Sequence, residues 1–332
     1  MLFSIIINAE QKSKTPPVEI SENVLNNCFL ELVHSSDDST TVKEIKKQCN
    51  ALLTNVNEHE IELSNIEKRL IREVATENNS RVITPHKRSY FLPFSYIDAP
   101  NNVKTIDGDN LTDLDNLEAK FQISFKAPIK TSLFTELDAL YFGFTIKSYW
   151  QMYNSEYSSP FRETNYQPEL FYSIKNDWQI GNWKNQVNFF GFEHQSNGRS
   201  QFFSRSWNRI YANFVFEKDD WVVSFRPWYR IPEKDKEFEN DPEGDDNPDI
   251  HKYMGNFELT TVYHWNEQNF SLMLRNNLRS NNRGAVQLDW SFPLGKRFKG
   301  YLQYFNGYGE SLIDYNYSEQ RLGLGILLSD FF

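Results

Sequence analysis

A histidine, a serine and an asparagine in this chain have the residue types of a hydrolytic site. His194 and Ser196 lie two positions apart in a predicted strand, so their side chains point to the same face. Asn208 has the same parity in the next predicted strand and could accept a hydrogen bond from the imidazole. Together the three residues offer a nucleophile, a general base and a group that orients the base.

The face that carries these three side chains is otherwise apolar. Leaving an imidazole unpaired there would be costly, which favours a partnered and functional histidine. Gly198 follows the serine closely, and its backbone N–H could approach an oxyanion. The alternative is a polar pair at the rim of this face, hydrogen-bonded to water; in a membrane protein, this rim would lie at the level of the lipid headgroups. The apolar residues of the same parity are Phe190, Phe192, Ile210, Ala212, Phe214 and Phe216.

The elements that must position these residues are predicted to be β-strands. From about residue 86 to the end, apolar residues recur with a period of two; Leu288 and Trp290, for example, flank Asp289. This pattern predicts twelve strands, and an even number is typical of single-chain bacterial barrels. The predicted strands are 88–98, 117–129, 138–153, 163–176, 185–197, 206–217, 221–231, 251–266, 269–279, 283–294, 298–309 and 319–332.

The composition agrees with a transmembrane barrel and excludes other classes. Mean hydropathy is -0.63 and no run of about 18 apolar residues occurs, yet 16% of the residues are aromatic. The net charge of -10 argues against broad binding to nucleic-acid phosphates. A soluble β-sandwich or lipocalin-like barrel is the alternative, which composition alone does not exclude. The terminal Phe332 after an alternating strand is similar to the end of outer-membrane barrels.

Loop lengths predict which end of the barrel carries the candidate site. The connections after strands six, eight and ten are short, whereas those after strands three, five, seven and eleven are longer. Such barrels have short periplasmic turns and long extracellular loops. The His194 and Ser196 pair, at the end of strand five, is therefore expected at the level of the outer leaflet.

The first 84 residues differ in pattern from the predicted barrel. Residues 1–11 resemble the end of a signal peptide without its basic region, and a chance apolar start is the alternative. Residues 12–84 are predicted to form a helical periplasmic extension or self-association element, or else a partly ordered tail, with a capping box at 41–44. Cys28 and Cys49 could form a disulfide in an oxidising compartment. The amphipathic stripe of this extension comprises Ile45, Cys49, Leu52, Val56, Leu63, Ile66 and Leu70.

Several polar clusters have the oxygen donors of a calcium site. Segments 158–163 and 204–206 supply hydroxyl and carbonyl oxygens, which suit a hard cation. Segment 245–249, of sequence DDNPD, resembles a calcium loop but lacks the spacing of an EF-hand, and a solvated acidic loop is the alternative. The sequence contains no phosphate-binding glycine loop and no zinc pattern.

Four motifs in order resemble the outer membrane phospholipase A family of Gram-negative bacteria. They are WQMYNSEYSSPFRETNYQPELF at 150–171, HQSNGRSQFFSRSWNRIY at 194–211, DDNPDIHKYMG at 245–255 and GYGESLIDYN at 307–316. The resemblance covers roughly residues 86–332. It implies an all-β fold, a twelve-stranded antiparallel transmembrane β-barrel in the outer membrane, to which the short helical N-terminal extension is added. The barrel domain is expected at 85–332.

The resemblance also implies residue roles. Ser196 matches the family's nucleophile, His194 its histidine and Asn208 its asparagine, and Gly198 would take part in an oxyanion site. Calcium is implied as the cofactor, bound by the Arg199 carbonyl, the Ser204 hydroxyl and Ser158 from a partner subunit. A second calcium position is less complete here, because Gln201 stands where family members have aspartate, although Asp246 matches the other acidic ligand.

The expected activity is hydrolysis of phospholipid and lysophospholipid sn-1 and sn-2 acyl esters in the outer leaflet. The resemblance implies that the enzyme is calcium-dependent and is activated by homodimerisation. Two other functions remain possible from the residues alone. A passive porin predicts an open lumen, and an outer-membrane protease predicts paired carboxylates at the extracellular rim.

Overall fold

A computed structural model describes most of the chain from residue 64 onward. The described residues are 64–76, 83–101, 114–135, 138–156, 158–200, 203–238, 241, 243–295 and 298–330. The chain divides into two units, Met1–Leu63 and Ser64–Phe332. The predictions for the signal-peptide remnant, the capping box at 41–44, Cys28 and Cys49 lie outside the described residues. Within the described segments, no helix is both long and apolar enough to cross a bilayer.

The second unit is a closed antiparallel β-barrel of twelve long strands. Two further strands of two residues each, β1 (Thr84–Pro85) and β6 (Gln179–Ile180), pair with their neighbours. The long strands are β2 (Ser89–Ile97), β3 (Leu117–Thr131), β4 (Asp138–Trp150), β5 (Phe161–Lys175), β7 (Trp183–Ser196), β8 (Ser206–Lys218), β9 (Trp221–Ile231), β10 (Phe257–Trp265), β11 (Gln268–Asn276), β12 (Gly284–Leu294), β13 (Phe298–Tyr308) and β14 (Ser318–Ser329).

The barrel closes between its first and last long strands. β2 pairs with β14 on one side and with β3 on the other, and every remaining long strand pairs with its neighbours in sequence. Closure leaves no free sheet edge, which a bilayer core requires. The predicted twelve-stranded all-β barrel is therefore confirmed.

One predicted strand begins later than expected. Residues 251–256 do not extend strand eight, because His251–Met254 form a short helix, α2. Gly255 ends it with φ +69, and a Cβ at that position would lie 2.3 Å from the carbonyl oxygen of Asn276. Only glycine fits there without displacing backbone, so the strand starts beyond it, at Phe257.

The two faces of the barrel wall have opposite chemistry. On β12, Leu288 and Trp290 are exposed on the outer surface, whereas Asp289 and Ser291 are buried inside. This is the alternation of a lipid-facing exterior and a polar lumen. The predicted period of two is thus observed as two distinct surfaces.

Buried charges cross the lumen in ion-pair networks. Arg321 binds Glu118 at 2.7 Å and Glu310 at 2.5 Å, and Lys120 also binds Glu310 at 2.5 Å. Arg162 joins the same network through Glu118. Charges buried this deeply persist only when they are paired. These side chains occupy the barrel interior, in which a cavity of about 350 Å³ remains.

A helix from the N-terminal segment packs into one end of the barrel. Helix α1 (Asn65–Thr76) begins with a capping box, in which the Ser64 hydroxyl accepts from the Glu67 N–H and the Glu67 carboxylate accepts from the Ser64 N–H. Ile66 of this helix, a residue of the predicted amphipathic stripe, is buried. Glu73 of the same helix forms an ion pair with Lys126 of β3 at 2.7 Å. The valines around Ile66 are Val187, Val215, Val222 and Val262.

Candidate active site

Strands β7 and β8 place the histidine and the asparagine directly opposite each other. His194 pairs with Asn208, and Ser196 pairs with Ser206, in the antiparallel register of the two strands. Phe192 and Ile210, the next residues of the same parity, are 43% and 55% exposed on the outer surface. The polar residues therefore continue an apolar outward column at its rim, as the pattern of alternation predicts.

A hydrogen bond connects the two opposite side chains. His194 Nδ1 lies 2.9 Å from Asn208 Oδ1, so the amide oxygen can accept the proton of that ring nitrogen. The other ring nitrogen, Nε2, is then free to act as a base. His194 and Ser196 line one half-buried cleft, together with Gly198, Arg199 and Ser204. The cleft thus combines a hydroxyl and an oriented imidazole beside lipid-facing side chains.

The loop after the serine is organised by Asn197, which sequence reasoning overlooked. Its Oδ1 accepts from the backbone N–H groups of Arg199 and Arg205, and its Nδ2 donates to the Phe203 carbonyl. Gly198 has φ +65, in the left-handed region that glycine adopts without strain. An asparagine directly before a glycine is a turn signal, so this role could have been predicted from the sequence.

The candidate calcium ligands lie in two connections of the barrel. Arg199 and Ser204 belong to the loop between β7 and β8 and line the cleft. The Arg199 side chain turns inward, where its Nε lies 3.3 Å from Glu163 and its guanidinium donates to the Arg162 carbonyl. Ser158 is exposed in the connection between β4 and β5, so a single subunit supplies these ligands from separate loops.

The donor chemistry around Ser204 fits a hard cation. Its hydroxyl donates to the Asp246 carboxylate at 2.5 Å, which makes that hydroxyl oxygen electron-rich. The described residues contain no group of three or more His, Cys, Asp or Glu placed to hold a metal. The oxygen donors of this cleft are the Ser204 hydroxyl, backbone carbonyls and the Asp246 carboxylate, which are all calcium ligands.

Asp246 also has a cationic partner of its own. Lys236 Nζ lies 2.6 Å from Asp246 Oδ1. The Lys236 ammonium group is thus paired with one oxygen of Asp246, the carboxylate that matches the second calcium position. Gln201, the other departure at that position, lies outside the described residues.

The side chains of segment 245–249 are partnered, so the segment is not the solvated acidic loop that was the alternative. Asp245 is 8% exposed and Asn247 is fully buried. Asp245 pairs with Arg230, and Asn247 Oδ1 accepts from the Ser206 N–H at 3.0 Å. Asp249 accepts from the Tyr315 hydroxyl at 2.7 Å. The side chains of segment 245–249 attach the long loop between β9 and β10 to the start of β8. Composition alone does not reveal these contacts.

A second residue that sequence reasoning overlooked is Glu233. Its carboxylate accepts a hydrogen bond of 3.0 Å from Asn208 Nδ2. Burial and the nearby Asp245 carboxylate raise the pKa of Glu233, and the hydrogen bond from Asn208 opposes this shift. No sequence motif marks Glu233, because the residues of its loop follow no recognisable spacing. Only the closed barrel brings Glu233 to Asn208.

Comparison with known proteins identifies the relatives of this chain. The sequence model of the phospholipase A1 family matches residues 66–328. Phospholipase A1 of Escherichia coli (strain K12) is 41% identical over 215 residues, 65% of this chain and 71% of that protein. Phospholipase A1 of Klebsiella pneumoniae is 36% identical over 255 residues, 77% of this chain and 85% of that protein.

Solved structures agree with the sequence comparison. Outer membrane phospholipase A of Escherichia coli superposes with a TM-score of 0.70 at 36% identity, covering 76% of this chain and 100% of that one. The Salmonella typhi outer membrane phospholipase, a dimer with bound calcium, gives 0.72 at 35% identity, covering 79% and 98%. The match extends over the whole barrel that carries the His194 and Asn208 pair. This chain is a phospholipid-hydrolysing enzyme of the Gram-negative outer membrane and belongs to the phospholipase A1 family.

Proposed function

We propose that the chain hydrolyses the sn-1 and sn-2 acyl esters of phospholipids and lysophospholipids with a triad of Ser196, His194 and Asn208. The observation that carries the proposal is the 2.9 Å hydrogen bond between His194 and Asn208 on the outward face of the barrel. A serine nucleophile beside an oriented imidazole is suited to acyl transfer. The neighbouring Phe192 and Ile210 provide an apolar surface for acyl chains.

The reaction divides into acylation and deacylation. The Ser196 hydroxyl attacks the ester carbonyl while His194 Nε2 takes its proton, and the same imidazolium then protonates the departing glycerol oxygen. In the second half, His194 deprotonates a water that attacks the acyl-serine, and the fatty acid leaves as Ser196 regains its proton. The Gly198 backbone N–H is proposed to stabilise the oxyanion in both halves.

Calcium is the proposed cofactor, held by the Arg199 carbonyl, the Ser204 hydroxyl and Ser158 from a partner subunit. When bound, calcium would supply positive charge beside the oxyanion. The placement of Arg199 and Ser204 in the cleft, with Ser158 in another connection, supports a site completed by a second copy. The Salmonella typhi relative is a dimer with bound calcium. Asp246, paired with Lys236, is a weaker candidate for a second calcium position.

The active form is proposed to be a homodimer acting on the outer leaflet. Exposed aromatic residues on one side of the wall, among them Phe94, Tyr153 and Phe161, provide an apolar surface for a second barrel. Two barrels packed there would also enclose acyl chains between them. Because phospholipid is scarce in an intact outer leaflet, association would restrict hydrolysis to a disturbed membrane.

The N-terminal segment 12–84 is proposed to be a periplasmic extension that precedes the phospholipase domain at 85–332. Its described helix α1 packs near the start of β7 and the end of β8, whereas His194 and Asn208 lie at the other ends of these strands. The helix therefore contacts the end of the barrel opposite the candidate site.

Fatty-acid release from mixed detergent–phospholipid micelles tests the triad and the cofactor together. We expect calcium-dependent release by the wild type, none with EDTA, and none from Ser196→Ala. Ser200→Ala, which changes an exposed serine in the same loop, is the matched control and should retain activity. Full activity of Ser196→Ala would contradict the triad. Release unaffected by EDTA would contradict the calcium site and leave the nucleophile standing.

A further inference from the structure

We propose that Glu233 is a positioning residue that fixes the Asn208 amide and places a negative charge behind it. The inference rests on the proposed Ser196, His194 and Asn208 triad and deepens it. In a triad with asparagine, the imidazolium that forms during the reaction lacks the counter-charge that aspartate provides. Here a carboxylate stands one residue further back, joined to the triad by a hydrogen bond.

The hydrogen bonds determine the orientation of the asparagine. An ionised carboxylate only accepts hydrogen bonds, whereas an asparagine side chain has one donating and one accepting end. Glu233 Oε1 lies 3.0 Å from Asn208 Nδ2, so the donating end points to Glu233. The accepting end, Oδ1, then faces His194 Nδ1 at 2.9 Å. Flipping the amide would place two acceptors, Asn208 Oδ1 and the Glu233 carboxylate, against each other.

The orientation of the amide fixes the tautomer of the imidazole. Because Asn208 Oδ1 can only accept, His194 must carry its proton on Nδ1 and leave the Nε2 lone pair for Ser196. Polarisation passes along such chains, so the Glu233 charge makes Oδ1 a stronger acceptor. The amide thus transmits the carboxylate's effect to the imidazolium.

The fold places Glu233 at the same rim as the triad. Asn208 pairs with Ile231 at the end of β9, so Ile231 and Glu233, two positions on, share the outward parity. Pro232 lies between them and has no N–H to continue the strand pairing. The chain therefore leaves the sheet at the position from which Glu233 reaches Asn208.

The charges around Glu233 are mostly paired with one another. Asp245 pairs with Arg230, and Asp246 pairs with Lys236. Among the described residues, no lysine or arginine forms an ion pair with Glu233. Its carboxylate is hydrogen-bonded to the Asn208 amide, and Arg230, itself paired with Asp245, is a nearby cation that favours the ionised form of Glu233.

A double-mutant cycle separates positioning from a merely structural role. We expect Glu233→Gln to lower kcat about tenfold with KM within about twofold, a coupling typical of one hydrogen-bond network. In an Asn208→Asp background, two carboxylates would face each other, so the same Glu233→Gln change should raise kcat instead, because the new amide can donate to Asp. Glu237→Gln, an exposed carboxylate of the same loop, is the control and should act equally little in both backgrounds.

Two readouts keep this test independent of the proposed activity. Each variant is assayed for fatty-acid release and for the rate at which a fluorophosphonate labels Ser196, with correct folding checked by heat-modifiable electrophoretic mobility. A reversal of sign between the backgrounds supports the inference. Equal effects of Glu233→Gln in both backgrounds, or a change confined to KM, would overturn it. Failure of the wild type to label or hydrolyse would instead overturn the proposed function.

Discussion

The two faces of the β7–β8 pair carry opposite chemistry within the same few residues. On the inner face, Glu193 is fully buried and pairs with Arg209, Arg226 and Lys87. On the outer face, the next residue, His194, contacts a neutral amide. One step along each strand thus separates a network of paired full charges from a hydrogen-bonded histidine and asparagine.

The two faces also differ in how their charges are held. In the enclosed lumen each charge is paired on several sides, whereas on the outer face the carboxylate that contacts the site, Glu233, lies beyond the end of β9. The inner pair Glu193 and Arg209 holds the wall in register. The outer pair His194 and Asn208 occupies the next rung of the same ladder. The same strand pairing therefore supports stability on one side and the proposed chemistry on the other.

Replacing His194 by alanine should have the largest effect and should act on activity alone. We expect kcat to fall by a factor of about 10⁴, because no general base remains for Ser196. The free energy of unfolding should change by no more than about 1 kcal/mol, since the half-buried side chain makes one hydrogen bond, to Asn208. Fatty-acid release and urea unfolding of the same preparation measure both. A comparable loss of stability would contradict the separation of the two faces.

Replacing the preceding residue should give the reverse result. Glu193→Ala leaves Arg209 and Arg226 without this buried partner, so we expect unfolding to become easier by about 3–5 kcal/mol. Activity per folded molecule should stay within a few-fold of the wild type. Glu267→Ala, an exposed carboxylate in the turn between β10 and β11, is the control for charge alone. A wild-type stability for Glu193→Ala would show that the inner network is dispensable.

A smaller effect is expected where α1 meets the inner face. Ile66→Ala removes the side chain that packs among Val187 and its neighbours, at a cost of about 2 kcal/mol. Limited proteolysis should then release the N-terminal segment sooner, while the barrel and its activity persist. Lys68→Ala, an exposed position on the same helix, provides the comparison. Equal proteolysis rates for both variants would contradict the docking of α1.

The smallest effect is expected at the rim of the outer face. Ser204→Ala removes one proposed calcium ligand and leaves the triad intact, so half-maximal activity should need about tenfold more calcium, with kcat at saturation little changed. Calcium titration of fatty-acid release measures this shift, and Ser200→Ala should titrate like the wild type. An unchanged calcium requirement would remove Ser204 from the ligand set.

The sequence allowed the barrel and the direction of the site to be predicted. A period of two is a local property, so twelve strands and the shared outward parity of His194, Ser196 and Asn208 follow from residue types alone. Strand ends were less predictable. The late start of β10 depends on Gly255 lying against the backbone at Asn276, a contact between segments that are close only in the fold.

The sequence by itself therefore determined which residues face lipid and which face the lumen, because alternation fixes the side of each strand. Only the tertiary structure decided how the loops are used. Lys236 forms an ion pair with Asp246, and segment 245–249 attaches the long loop to the start of β8. Glu233 accepts a hydrogen bond from Asn208. These contacts join residues far apart in sequence, and their geometry is set by closure of the barrel, which no local pattern encodes.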